Sequence, residues 1–103
     1  MTDTLHTDER AAVTQAAAAF ESIWRSPASC DPDASLACLS AAEQLTLAGA
    51  DPAPARPRTV HAGDVAPLLR QALLTLSSLP AAVFAHPPIL AASYCGQAAL
   101  RLL

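Results

Sequence analysis

The chain has 103 residues, enough for one domain; 52% are hydrophobic and only 15% charged, against roughly 25% charged in an average globular protein. That balance excludes an intrinsically disordered chain, which needs low hydrophobicity and high charge. The net charge is −3, with six dispersed arginines and no lysine, so there is no basic stripe to displace counterions from a phosphate backbone, and nucleic-acid binding is not expected.

Residues 1–7 read as a polar tail, and residues 1–10 hold no basic segment followed by an apolar run, so they do not form a secretory signal. The first helix is expected over residues 8–25. Thr7 can cap it, and Asp8 and Glu9 put negative charge in its positive first turn. At 100° per residue, Ala12, Val13, Ala16, Ala17, Phe20, Ile23 and Trp24 share one arc, while Thr14, Gln15, Glu21, Ser22 and Arg25 take the other side. Glu21 and Arg25 stand i,i+4 in the favourable order. Ser26-Pro27 ends the helix, because a residue before proline is pushed out of the helical region.

The second helix starts with Asp31 as cap and Pro32 at the first helical position. It runs to Ala48, where Gly49 closes it in a left-handed conformation. Its apolar pattern is double: Leu36, Leu39 and Leu47 point one way, and Cys38, Ala41, Ala42 and Leu45 nearly the opposite way. A helix with two apolar faces sits centrally, or between its own fold and a partner.

Residues 50–63 form a proline-rich loop. Helical spacing disappears, and Pro52, Pro54 and Pro57 favour extended polyproline geometry. The loop contains a formal Pro-x-x-Pro pattern at Pro54 and Pro57, with Arg56 and Arg58 as polar contacts for a recognition role, although a rigid connector is the simpler assignment.

Asp64 caps the third helix, and Pro67 fits its first turn, whose amides have no intrahelical acceptor. Val65, Leu68, Leu69, Ala72, Leu73, Leu76 and Leu79 form the clearest stripe in the chain. Arg70, Gln71, Ser77 and Ser78 face away, with Leu74 among them. Residues 81–85 suit one short turn, which His86-Pro87-Pro88 breaks before a final helix that runs to about Leu102. There Ser93, Gln97 and Arg101 form a polar strip, opposite Ile89, Ala92, Cys95, Gly96, Ala99, Leu100 and Leu103. Gly96 costs about 1 kcal/mol of helix propensity relative to alanine, an outlay that close helix packing can offset. No segment alternates with period two, so no strands are expected. The predicted fold is all-α: a single domain of four main helices, two helical hairpins joined by the proline-rich loop.

Thirty residues between Arg70 and Arg101 carry no Asp, Glu, Lys or Arg. Serines, prolines, His86 and Gln97 interrupt this stretch, so it lacks the roughly twenty consecutive apolar residues of a membrane span. The apolar excess of Leu74, Val83, Phe84 and Leu90, together with the chain end Leu102-Leu103, is instead a candidate partner surface, since large exposed apolar patches mark interaction sites. The partner is another protein or the chain itself.

Evidence for chemistry is sparse. Cys30, Cys38 and Cys95 are odd in number and far apart in sequence, as expected of reduced thiols in a cytoplasmic protein. Cys38 and Cys95 read as small buried hydrophobes. Cys30, just before a helix start, is the one candidate for reactivity, with Asp31 opposing thiolate formation and the helix dipole favouring it. His6, His61 and His86 lie in the tail, the loop and the proline break, without metal-ligand spacing. No metal, cofactor or catalytic set is expected: the carboxylates read as helix caps, and three glycines form no phosphate loop. The absence of both lysine and asparagine points to a GC-rich, bacterial genome. The leading functional expectation is a non-catalytic interaction module, either a homo-oligomer or the small subunit of a complex. The alternative is a carrier or sensor of a small apolar ligand, with Trp24, His86 or Tyr94 as its polar handle.

Overall fold

Proline and glycine divide the chain into its helices. The computed structural model describes residues 5–26, 30–51 and 59–103. Within them lie α1 (Thr7–Trp24), α2 (Pro32–Leu47), α3 (Val65–Ser77), the single turn α4 (Ala81–Phe84) and α5 (Pro87–Arg101), with a 3-10 turn at Ala62–Asp64 and no strand. The protein is thus an all-α bundle with four main helices.

The helix starts separate local signals that held from those that did not. Asp31 caps α2 as expected: its Oδ1 accepts the Asp33 N–H at 2.8 Å, and Pro32 takes the first helical position. Gly49 ends the helix at φ +111°, the left-handed region that favours glycine. The cap of α1, however, is His6 and not Thr7. Counted from His6, Glu9 falls at the third helical position, where its Oε1 accepts the His6 N–H at 3.0 Å; counted from Thr7, that place would go to Arg10, which has no acceptor. Asp64 precedes α3 as expected, but its backbone is already helical and its side chain makes no capping bond. Its N–H closes the 3-10 turn on the His61 carbonyl at 2.9 Å instead.

Two diagonals organise the bundle. α1 packs between α2 and α3, and α5 packs between the same two helices from the other side, so α2 and α3 face each other across the bundle. Leu5, just before α1, lies beside Gly49, just after α2; these two helices are therefore antiparallel. Asp51 and Val60 are both tied to α1, in its first half and just beyond its end respectively. The Asp51 N–H donates to Thr14 Oγ1 at 3.0 Å, and the Val60 N–H to Ser26 Oγ at 3.2 Å. α3 therefore starts beside the end of α1 and runs in the same direction as α2. The turn through α4 reverses α5, leaving every adjacent pair antiparallel.

The core follows the expected stripes, with Val13, Phe20 and Ile23 of α1, Cys38 and Leu45 of α2, Leu69 and Leu76 of α3, and Ile89 and Ala99 of α5 all fully buried. Gly96 is where the α1–α5 diagonal closes. A Cβ there would lie 2.8 Å from Leu73 Cδ2 and 3.0 Å from Phe20 Cζ, so the missing methyl makes room for two side chains. Some residues depart from the expected pattern. Ser22, expected on the polar side, is buried; its carbonyl accepts from the Ser26 hydroxyl at 2.9 Å, and Ser26 Oγ in turn accepts the Val60 N–H. Val60, within the loop, joins the core. Ser93, expected in a polar strip with Gln97 and Arg101, is buried, because α3 packs along that side of α5. The 1–7 tail is likewise not polar throughout, since Leu5 packs on the core.

Candidate functional site

α3 turns Val65, Leu69, Ala72 and Leu76 inward, which leaves Leu73, Arg70, Ser77 and Leu74 on the flank toward α5 and the outside. α5 brings Ser93 and Gln97 to the same side, and Phe84 of α4 is the remaining lining residue. These seven residues line an open groove of about 420 Å³. No acidic residue follows Asp64 in the chain, and Arg70 and Arg101 are the only charged side chains of residues 65–103. The groove is therefore apolar with a cationic edge. Leu74 stands 66% exposed over it, and Tyr94, on the outward face of α5, is 63% exposed.

The candidate partner residues separate into two groups. Leu74, Leu102 and Leu103 are exposed. Val83, Phe84 and Leu90 are half-buried, with Val83 and Phe84 packed against the core. Leu74 and Phe84 meet at the groove. A second apolar surface was legible in the double pattern of α2 but absent from the candidate set: Leu36 is 60% and Leu47 73% exposed, and with Ser40 and Glu43 they form one outward stripe. Leu39, expected with them, is half-buried.

The three candidate ligand handles do not converge on the groove. The Trp24 indole N–H donates to Glu21 Oε2 at 2.6 Å, while Glu21 Oε1 accepts from Arg25 Nε at 2.8 Å, and the Arg25 guanidinium lies 5.6 Å from the Trp24 ring centre. This cluster sits at the end of α1. His86 precedes α5 at the opposite end of the bundle. Its Nδ1 is buried without a hydrogen-bond partner among the described residues. Pro87 and Pro88 occupy the first two helical positions, and neither has the N–H that a capping acceptor uses.

Distance in sequence hides a cluster of thiols. Cys38 is fully buried at the α2–α5 contact. Burial pushes its pKa up to about 12, and the neighbouring Cys30 and Cys95 sulfurs act in the same direction. Burial also raises the half-buried Cys95 thiol. Cys38 is the small buried hydrophobe expected of it, and Cys95 partly so. Cys30 is half-buried, with Sγ 3.4 Å from Ser35 Oγ. All three are free thiols. Among the described residues no group of His, Cys, Asp or Glu is arranged to hold a metal ion, and no helix is long and apolar enough to cross a membrane. The Pro54-to-Pro57 pattern lies outside the described residues. Comparison with family models, with curated proteins and with solved structures gives no match to this chain.

Proposed function

We propose that this chain is a non-catalytic helical interaction module, acting as a homo-oligomer or as the small subunit of a larger complex, with the α3–α5 groove as its docking surface. The same reading makes it a cytoplasmic, bacterial protein. The observation that carries it is Leu74: a large apolar side chain held two-thirds in water over an apolar groove on the acid-free part of the chain. Soluble domains normally scatter charges over such surface, and a contiguous apolar patch without them marks a contact site.

A photo-cross-linking amino acid at position 74 tests this in cells of the native host. It is expected to trap a protein, whether a second copy or another chain, and the same group at Gln71, which points away from the groove, is not. No protein adduct at position 74 would overturn the proposal.

A carrier of a small apolar ligand is the second reading, and it draws on the groove's volume, which lies within the roughly 300–1,000 Å³ of ligand sites. An apolar fluorophore is expected, on this reading, to bind saturably with one site per chain and to lose that site in Leu73→Glu. Non-saturating binding that the substitution leaves unchanged would remove it.

A further inference from the structure

We infer that the docking partner of the α3–α5 groove is the outward face of α2 from a second copy of this chain, so that copies join head to tail. This rests on the reading of the groove as a protein-docking surface, and it names the occupant.

The two surfaces are complementary in charge. Between Arg25 and Arg56 every charged residue is acidic: Asp31, Asp33, Glu43 and Asp51. Residues 65–103 carry only arginine. A two-fold contact of groove on groove brings together two surfaces whose charge is the Arg70 cation of each copy, and one of α2 on α2 brings together two surfaces whose charge is the Glu43 carboxylate of each. Like charges facing each other are costly, whereas opposite charges steer and register an interface. Only the mixed contact avoids both repulsions.

The spacing also matches. On α2, Glu43 stands four residues before Leu47; on α3, Arg70 stands four residues before Leu74. Each pair spans one turn, about 6 Å along the axis. All four side chains are exposed. If Leu47 enters the groove beside Leu74, Glu43 meets Arg70 when the two helices are parallel. They are parallel within one molecule, and they sit on opposite corners of the bundle. A copy displaced along that diagonal, without a half-turn, therefore presents α2 to α3 in the required direction. Leu36, three turns from Leu47 along the same stripe, extends the contact. Such a contact does not close on itself at two copies; it builds rings or open chains.

Light scattering during size-exclusion chromatography over a concentration series tests the inference. The native chain is expected to exceed two copies in mass as concentration rises. Leu74→Glu, which blocks the groove, and Leu47→Glu, which blocks the α2 face, are each expected to be monomeric. Mixed, they retain one intact interface and are expected to form a species of two copies and no larger. Glu43→Arg and Arg70→Glu should each raise the concentration needed for assembly at least about tenfold, and the double variant should restore it. All four positions are exposed, and far-ultraviolet circular dichroism checks that each variant folds.

A native chain that stays a single copy throughout overturns the inference, as does Leu47→Glu assembling like the native chain while Leu74→Glu does not. Failure of the mixed variants or of the double charge reversal also overturns it. The docking surface itself stands or falls separately, on whether a cross-linker at position 74 traps any protein at all.

Discussion

Replacing Phe20 with alanine is expected to destabilise the domain by about 3–5 kcal/mol, the range for a fully buried phenylalanine. A domain of this length has roughly 5–15 kcal/mol of stability in all, so the variant stands near the threshold of folding. The ring has no exposure and reaches across the bundle diagonal to α5, where its edge defines the space that Gly96 leaves open. Removing it takes away the contact that joins α1 to α5, so the void has walls on three helices and cannot close by one side chain turning.

The same geometry gives a finer test. Gly96→Ala gains about 1 kcal/mol of helix propensity. Its methyl then presses on Leu73 and on the Phe20 ring, and overpacking of this kind costs about 1–3 kcal/mol. Leu73 is half-buried and can move at its tip; Phe20 is enclosed. The net expectation is a loss of up to about 2 kcal/mol. In a Phe20→Leu background the ring edge is gone, and Gly96→Ala should become neutral or stabilising. Urea unfolding followed by circular dichroism measures all four variants of this cycle. If Phe20→Ala loses less than about 1 kcal/mol, or if the two substitutions add without coupling, the diagonal is not held by this ring.

Alkaline pH is expected to destabilise the protein through Cys38. The thiol titrates at an ordinary 9.0 when exposed and at about 12 in the fold. The unfolded chain therefore releases this proton first, and the native state holds it. Stability from this group is complete below pH 9 and declines as pH rises toward about 12, at roughly 1.4 kcal/mol per pH unit. Cys95, raised in the same direction by burial, steepens the decline. Cys38→Ala removes the Cys38 share while leaving a small apolar side chain among Ala34, Ala41 and Ala42, so its stability should fall more slowly above pH 9. Unfolding midpoints measured at intervals from about pH 8 upward give both slopes. Equal slopes for the native chain and the variant would show that the buried thiol does not govern alkaline stability.

The helices, their proline and glycine boundaries, the cap at Asp31, the left-handed Gly49 and the inward stripe of α3 were all legible in the sequence. Each depends on residues within one or two turns of itself. The exposed Leu74 was legible for the same reason, as a large apolar residue among polar ones on the outer arc. The shift of the α1 cap from Thr7 to His6 was also local, and followed once Glu9 was counted from the right residue.

Where the helices lie relative to one another was decided only by tertiary packing. The wheel of α1 assigns Ser22 to water, but the fold buries it, one turn before Ser26, to which Val60, more than thirty residues later, is bonded. The wheel of α5 assigns Ser93 to a polar strip, but α3 covers it. Cys30, Cys38 and Cys95 have no common spacing, and they gather because α2 packs on α5. Leu36 and Leu47 stay in water because α2 occupies a corner of the bundle, where a helix has two neighbours and one outward face. Periodicity records which side of a helix is apolar, since that repeats every 3.6 residues along one element. It does not record which neighbour covers that side, because the neighbour is set by contacts far apart in the chain.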